Sequence, residues 1–281
     1  MPQLSIVIVN YNAKEDLRRC LASLLNTQLL PDGTFPEIIV VDNASSDGSA
    51  AMVKQEFPII KLIEPNKNTW FCGGNNLGSQ AATGDYVLLL NPDTVVPPDA
   101  LFTMMDFITK HPEYAGVTLQ LRYPNGEIQR TCSRAPSYHY LLLTQTVYGF
   151  LRPNAKKEAE THHWYAGWER DRDFDVAAVP GSCTLVKRED AHLDENLLLY
   201  FPEDDLAKRF DGRLFRFIAS PSIEHREKSV TRTARASSIY FRDLIAYTHK
   251  HHGVARAVLM WFLSRPLHWG IQLRWLRRKP N

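Results

Sequence analysis

Residues 88–94 read Leu-Leu-Leu-Asn-Pro-Asp-Thr, an apolar strand pattern that ends abruptly at a short acidic turn. Ligands of open α/β sheets bind outside the carboxyl ends of the strands, so Asp93 is well placed to hold a divalent cation against a phosphorylated substrate. An isolated Asn-Pro-Asp more often marks a turn, in which the carboxylate caps the next segment. The segments around this stretch decide between the two interpretations.

The first hundred residues alternate strand and helix patterns, as a parallel sheet requires. The predicted strands cover residues 4–9, 38–41, 59–63 and 86–90, and the helix patterns between them cover residues 17–25, 50–57 and 74–83. Three of these strands run into turns rich in Asn and Asp, and a parallel arrangement brings such turns to one edge of the sheet. The sequence therefore predicts an α/β fold with a polar binding edge.

Composition places the 281-residue chain among ordinary globular proteins, because 44% hydrophobic residues are enough for a sizeable core. The four cysteines lie far apart without a Cys-x-x-Cys pair, so neither a zinc knot nor a dense disulfide frame is indicated. The chain enters an apolar strand directly and contains no run of 18 apolar residues. We therefore expect a cytoplasmic protein that is neither secreted by a standard signal nor membrane-spanning.

Positive charge is concentrated in the last part of the chain, residues 230–281, where ten Lys and Arg residues stand against one acid, Asp243. Tryptophan, phenylalanine and leucine are interleaved with arginine there, a composition that suits a membrane interface. Packing of an aromatic helix stripe on the rest of the protein explains the pattern equally well. Nucleic-acid binding is disfavoured, because no nucleic-acid-reading motif accompanies the charge.

Carboxylates in the second half also point to chemistry. Glu203, Asp204 and Asp205 are consecutive, and like-charge repulsion raises the pKa of a clustered carboxyl, which suits a general base. Acids at the start of a solvated helix give the same pattern. His225 follows a strand pattern and could complete a metal site with Asp93, although a lone histidine is more often a packing residue.

Two further polar segments lie in the first half. Asp42 directly follows a strand and could accept hydrogen bonds from a nucleobase or ribose, or could close an Asx turn. Residues 73–78 read GGNNLG and are typical of a helix start whose backbone amides cradle a phosphate. They match neither the dinucleotide-binding Gly-x-Gly-x-x-Gly pattern nor a P-loop.

Together these segments resemble the inverting family 2 glycosyltransferases, most closely the rhamnosyltransferase branch of bacterial envelope polysaccharide synthesis. The motifs that carry the resemblance are SIVIVNYN at 5–12, IVVDNASSDG at 39–48, GGNNLG at 73–78 and LLLNPDT at 88–94. The resemblance implies a GT-A fold, with a mostly parallel central sheet and helices on both faces. It implies a glycosyltransferase domain at 1–229, with a nucleotide-sugar-binding half at 1–100 and an acceptor and catalytic half at 101–229. A helical extension at 230–281 would follow.

The resemblance also implies roles for single residues. Donor-binding residues would be Asn10, Asn12, Asp42, Asn75 and Asn91, with Asp42 at the nucleobase. Asp93, with His225, would hold Mg²⁺ or Mn²⁺. The catalytic base would be Asp204 or Glu203: the Glu-Asp dipeptide points to Asp204, which we favour, and an ungapped match to Leu206 and Arg209 points to Glu203.

Two departures from the family pattern bear on these roles. Trp70 stands where the family commonly has glycine, which affects the expected donor pocket. Asn91 stands where the metal motif often begins with aspartate, which leaves one anionic ligand in that turn.

The implied reaction moves a sugar from a nucleotide-diphosphate donor, dTDP-rhamnose or a UDP-sugar, to a hydroxyl of a glycan or a polyprenyl-diphosphate-linked acceptor. The C-terminal segment would then touch the inner face of the cell membrane. A catalytically degenerate scaffold subunit is one alternative. A sugar-nucleotide pyrophosphorylase is another, but residues 8–12 lack the Gly-rich basic loop expected to bind a triphosphate.

Overall fold

The computed structural model describes residues 3–210, 212–227 and 234–277, which form one nine-stranded mixed sheet and the helices around it. The strands are β1 (Leu4–Asn10), β2 (Glu37–Asp42), β3 (Lys61–Ile63), β4 (Tyr86–Leu90), β5 (Thr94–Val95), β6 (Gly116–Arg122), β7 (Phe174–Val176), β8 (Cys183–Lys187) and β9 (Phe215–His225). The helices are α1 (Lys14–Leu25), α2 (Ser49–Glu56), α3 (Trp70–Ala81), α4 (Ala100–Lys110), α5 (Tyr138–Thr144), α6 (Tyr148–Leu151), α7 (Pro153–His163), α8 (Pro202–Arg209), α9 (Ala234–His252) and α10 (Val254–Arg277).

The first half of the chain builds the parallel part of the sheet, in the strand order β3-β2-β1-β4. This confirms the predicted strand and helix alternation. Register pairs Asn10 with Asp42, so the polar turns after β1 and β2 lie side by side as expected. Antiparallel pairing of β8 with both β4 and β6 makes the second half of the sheet mixed.

Buried side chains cover both faces of the sheet, which is why its inner strands are almost continuously apolar in sequence. On one face, Ile6 and Ile8 of β1 belong to a core that includes residues of α1, α2 and α4. On the other face, Val7 belongs to a core that includes residues of α3, α8 and α9. The acidic segment of α8 is thus held on the face opposite to α1.

Helix α3 begins at Trp70, four residues before the predicted helix start, and this corrects the phosphate-cradle interpretation of residues 73–78. Those residues lie inside the helix, where backbone amides are engaged in helical hydrogen bonds. Their glycines allow close packing on β1 instead: a Cβ at Gly78 would lie 2.3 Å from Val7 Cγ1, and one at Gly74 would lie 2.7 Å from Val9 Cγ1. The glycines bring α3 against the sheet.

The C-terminal segment forms a helical hairpin. Helix α9 is packed on the domain through Phe241, Leu244 and Tyr247, all of which are buried. Helix α10 folds back along α9, and Gln272 Nε2 donates to the Ala234 carbonyl at 2.8 Å. The predicted boundary between residues 229 and 230 lies outside the described residues. None of the described helices is long and apolar enough to cross a membrane.

Candidate active site

Polar side chains tie together the carboxyl ends of β1 and β2. Asn10 Nδ2 donates to Asp42 Oδ1 at 2.8 Å and to Ser45 Oγ at 3.1 Å. The Ser45 amide donates to the other Asp42 oxygen at 3.2 Å, and Asn12 Oδ1 accepts the Ser46 amide at 2.8 Å. Asp42 is 3% exposed. Its buried carboxylate therefore holds the turns after β1 and β2 together from below the surface. Asn12, in contrast, is exposed.

Asn43 connects this edge to the start of α3 and was not singled out from the sequence. Its Oδ1 accepts both the amide and the hydroxyl of Thr69, at 2.9 and 2.7 Å, and its Nδ2 donates to the Trp70 carbonyl at 2.9 Å. Its place directly after Asp42 in a polar turn was the available signal. Trp70 has a φ of +63°, a backbone conformation that favours glycine, the residue that the family resemblance led us to expect at this position.

The guanidinium of Arg235, at the start of α9, lies 5.0 Å from the centroid of the Trp70 ring. A cation at this distance over an indole face is attracted by the ring quadrupole. The C-terminal hairpin therefore reaches the same edge of the sheet as Asn10 and Asp42.

Asp93 and His225 are brought together as predicted, with 3.4 Å between Asp93 Oδ1 and His225 Nε2. On the other side of the ring, Gln129 donates through Nε2 to the His225 carbonyl at 2.6 Å, which turns its Oε1 toward His225 Nδ1 at 2.8 Å. This contact with Gln129 orients the ring so that Nε2 faces Asp93. Such an outer hydrogen bond is typical of a metal-ligating histidine.

Asp93 and His225 alone supply fewer ligands than a complete metal site contains. Within the described ranges, no group of three or more His, Cys, Asp or Glu residues is arranged to hold a metal ion. Asn91 is half-buried, and its backbone N–H donates to the Ser182 carbonyl at 3.1 Å. Asn75, 2% exposed, donates its side-chain amide to the Phe71 carbonyl at 2.9 Å and supports α3 from within. Asp93 and His225 would hold a divalent cation together with further ligands, such as oxygens of a bound diphosphate or of water.

Glu203 and Asp204 begin α8 and border a cavity of about 300 Å³ together with Arg130, Tyr140, His163 and Tyr240. Burial raises the pKa of the Glu203 carboxyl, an effect that the backbone amide of Gly181 partly opposes. Burial and the charge of Glu203 raise the pKa of Asp204 well above its ordinary value, and Lys208 partly offsets this. A carboxylate pair with raised pKa values can take a proton from a hydroxyl.

Gly181 places the acidic pair near the first half of the chain. A Cβ at this glycine would lie 3.1 Å from Phe71 Cζ and 3.8 Å from Glu203 Cδ, so the backbone occupies a narrow gap between α3 and α8. The backbone carbonyl of the next residue, Ser182, accepts a hydrogen bond from the backbone N–H of Asn91 at 3.1 Å. The segment thus links Glu203 to the turn that carries Asp93.

Asp205, the third acid of the cluster, has a different environment. It is 1% exposed, and its Oδ1 lies 2.7 Å from Lys250 Nζ and 2.8 Å from His251 Nε2, both on α9. These partners neutralise its charge. Asp205 therefore fixes α8 on α9 and does not face the cavity.

Asp243 is a second buried acid on α9, and sequence reasoning gave it no role. Its Oδ2 accepts the amides of Leu198, Leu199 and Tyr200 at 3.1, 2.9 and 3.0 Å, which holds the segment that leads into α8. Its isolation as the one acid in a basic tail was the signal that could have marked it.

Comparison with known proteins agrees with this arrangement. The family model described as Glycosyl transferase family 2 matches residues 5–189, which is more than half of the chain. The chain belongs to glycosyl transferase family 2. This family membership confirms the resemblance seen in the sequence motifs and rules against a sugar-nucleotide pyrophosphorylase.

Curated relatives include a rhamnosyltransferase. The N-acetylglucosaminyl-diphospho-decaprenol L-rhamnosyltransferase of Mycobacterium tuberculosis is 25% identical over 288 residues, which cover 94% of this chain and 90% of the relative. The poly-β-1,6-N-acetyl-D-glucosamine synthase of Staphylococcus epidermidis is 30% identical over 136 residues, covering 45% of this chain and 31% of that protein. The rhamnosyltransferase-like resemblance is thereby confirmed over almost the whole chain.

Solved structures establish the fold. The mannosyltransferase PcManGT of Pyrobaculum calidifontis, in complex with GDP-Man and Mn²⁺, superposes with a TM-score of 0.57 at 15% identity, covering 98% of this chain and 74% of that chain. GalNAc-T7 with UDP, GalNAc and Mn²⁺ gives a TM-score of 0.61 at 13% identity, covering 96% and 51%. The protein has the predicted GT-A fold, with a C-terminal helical part.

Proposed function

We propose that this protein is a metal-dependent inverting glycosyltransferase, which moves a sugar from a nucleotide-diphosphate donor to a hydroxyl of a lipid-linked or other cell-envelope glycan. The observation that carries the proposal is the position of the acidic pair. Glu203 and Asp204 border a cavity on one side and, through Gly181 and Ser182, connect with the Asn91 turn on the other. A proton acceptor at this position would lie between a cavity for the acceptor and the edge where the donor would bind.

The donor would lie across the polar edge of the sheet. Asn10, Asn12 and Asp42 shape this edge, and Asn91 and Asp93 follow the neighbouring strand β4. Ligand binding at the carboxyl ends of parallel strands is the general rule for open α/β sheets. Asp93 and His225 would hold the divalent ion, which supplies positive charge to the diphosphate when bound. The Mn²⁺ in the PcManGT and GalNAc-T7 complexes supports this part of the proposal.

Asp204 would act as the general base. Its pKa is raised by burial and by the neighbouring Glu203 charge, which brings its proton affinity closer to that of a base working near neutral pH. The acceptor hydroxyl would lose its proton to Asp204 as its oxygen attacks the anomeric carbon, and the bond to the nucleoside diphosphate would break. A single displacement of this kind inverts the anomeric configuration.

The acceptor is proposed to be lipid-linked, with the protein at the cytoplasmic face of the membrane. Support comes from the Mycobacterium tuberculosis relative, whose name identifies a decaprenol-diphosphate-linked N-acetylglucosamine, and which aligns over 94% of this chain. The name also supports a rhamnose donor. The non-glycine residue Trp70 beside the donor edge makes the donor sugar a question for direct assay.

The test measures nucleoside-diphosphate release from dTDP-, UDP- and GDP-sugars in the presence of polyprenyl-diphosphate-linked N-acetylglucosamine, with Mn²⁺ or with EDTA. We expect one donor to turn over and EDTA to stop it. Asp204→Asn should lower kcat by about 10²–10⁴-fold, the usual contribution of a general base. Asp171→Asn, at an exposed site, should retain activity and serves as the matched control.

Calorimetry then separates binding from chemistry. Asp204→Asn should still bind the donor, whereas Asp93→Ala should bind it weakly in the presence of Mn²⁺. Activity lost in Glu203→Gln but kept in Asp204→Asn would move the base to Glu203. A wild-type protein that binds none of these donors would refute the transferase proposal and favour a scaffold subunit.

A further inference from the structure

An apolar groove of about 480 Å³ lies between the C-terminal hairpin and the segment around α6. Its volume is within the range of small-molecule binding pockets. The lining is mostly apolar and includes Phe150, Phe241, Leu267, Gly270 and Ile271. The mechanism proposed above makes no use of this groove.

The groove shares a wall with the cavity that contains the acidic pair. Gln145 and Tyr240 line both spaces, and Tyr240 Oη donates to Gln145 Oε1 at 2.6 Å. Burial raises the pKa of Tyr240, so its hydroxyl stays protonated and keeps this hydrogen bond to Gln145. The acidic cavity and the apolar groove therefore adjoin each other at this pair of side chains.

Large apolar side chains that line the groove, or that directly precede or follow a lining residue in the sequence, are exposed. Phe150, Leu151 and Trp269 are 70%, 76% and 61% exposed, and Leu273 is 53% exposed. Grouped exposed apolar side chains of this kind mark an interaction surface. They belong to α6 and α10, the helices that carry the lining residues Phe150, Gly270 and Arg274, so exposed apolar side chains accompany the groove lining along both helices.

Each of the two spaces also contains a cation. Arg130 lines the acidic cavity and Arg274 lines the groove. Guanidinium groups are well suited to phosphate oxygens. An anionic group that joins a polar head to an apolar tail would meet positive charge on both sides of the Tyr240–Gln145 pair.

We propose that the groove binds the isoprenoid chain of a polyprenyl-diphosphate-linked acceptor, whose sugar end occupies the acidic cavity. The assignment rests on the proposed transferase function and adds the site for the lipid part of its substrate. The exposed rim on α6 and α10 would face the bilayer, from which the remainder of the chain extends.

Gly270 offers a direct test. It lies on α10 in the groove lining, and a Cβ at this position would meet no atom within 4 Å, so a large side chain can fill the groove without displacing the backbone. Gly270→Trp is the test variant. Val258→Trp, on the same helix at an exposed position outside the lining, is the matched control. Gly270→Leu replaces the tryptophan variant if thermal unfolding shows that the latter is misfolded.

Two readouts separate this inference from the proposed function. The first is binding of a dansyl-labelled C15 prenyl diphosphate, followed by fluorescence. Gly270→Trp should weaken binding about tenfold or more, because displacing even two buried methylenes has that effect, and Val258→Trp should match the wild type. The second is transfer to acceptors with a C55 chain, a C15 chain or a short water-soluble aglycone. KM should rise as the chain is removed, and in Gly270→Trp this chain dependence should be lost.

Unchanged probe binding in Gly270→Trp, or wild-type transfer with the same KM for the soluble and prenyl acceptors, would overturn the groove assignment while leaving the transferase function intact. Absence of donor turnover with every acceptor and absence of donor binding would instead refute the proposed function. Probe binding that is lost equally in both tryptophan variants would identify a general lipid surface and would also overturn the assignment.

Discussion

Asp243→Ala should lower the free energy of unfolding by about 3–5 kcal/mol. The carboxylate is fully buried on α9, and one of its oxygens accepts three consecutive backbone amides, those of residues 198–200, at 2.9–3.1 Å. Alanine would leave three partly buried donors without an acceptor, at a cost of about 1–3 kcal/mol each. Water can reach part of this segment, so we place the sum in the lower part of that range.

The neighbouring arginine supplies the control. Arg242 donates to the other Asp243 oxygen at 2.8 Å, and its own side chain is half exposed. Arg242→Ala removes this one partner of the buried carboxylate but leaves the three backbone amides with their acceptor, so it should cost less stability than Asp243→Ala. Urea unfolding at pH 7, followed by circular dichroism, measures both variants.

A functional effect should accompany the loss of stability. The segment held by Asp243 leads into α8, and the Leu198 carbonyl accepts the Phe71 amide at 3.1 Å. Asp243→Ala should therefore lower kcat more than donor affinity at temperatures where the variant remains folded. If its stability lies within about 0.5 kcal/mol of Arg242→Ala, the size of a typical surface substitution, the reasoning is wrong.

Three further predictions concern the site and its surroundings. Burial raises the folded-state pKa of Glu203, so ionisation of this carboxyl at pH 7 lowers the free energy of unfolding. This loss of stability disappears below the ordinary carboxyl pKa, where the group is protonated in both the folded and the unfolded states. Glu203→Gln should thus be more stable than the wild type in urea at pH 7 but not at about pH 4, and an equal gain at both pH values would contradict this. Burial lowers the pKa of His163 to about 4 from an ordinary 6.5, so stability should fall as the pH decreases between these values. His163→Phe, which keeps a ring stacked on Tyr140, should show a flatter pH dependence of Tm, and an unchanged slope would exclude His163 as the cause. Trp70→Gly should be about 1 kcal/mol more stable than Trp70→Ala, because only alanine retains the cost of a positive φ. Both variants lose the contact with Arg235, so this loss cancels in the comparison. Equal denaturation midpoints for the two variants would argue against backbone strain at this residue.

Much of the structure of the first hundred residues could be predicted from local sequence. Apolar runs that end in Asn or Asp specify buried parallel strands with polar turns, and the pairing of Asn10 with Asp42 follows from that arrangement. The proximity of Asp93 and His225 was also predicted. In contrast, residues 73–78 were assigned to a helix start because glycine and asparagine are common there. The structure shows that their glycines serve close packing on β1, a requirement set by a strand far away in the chain.

The C-terminal segment shows a second limit. Its composition fitted membrane contact and packing on the domain equally well, because both demand aromatic and apolar side chains. The structure assigns packing to α9, whose Phe241, Leu244 and Tyr247 are buried, and leaves large apolar side chains of α10 exposed. Which helix packs depends on the contacts that α9 makes with α8, and these do not follow from composition.

The sequence by itself determined the family, the strand and helix alternation and the polar edge, because periodicity and short motifs are local properties of the chain. The tertiary structure alone decided which of three adjacent acids faces the cavity. Successive residues on a helix point about 100° apart, so Asp205 is directed to Lys250 and His251 on α9, whereas Glu203 and Asp204 line the cavity. The partners that neutralise Asp205 come from a distant part of the chain, and only folding brings them together.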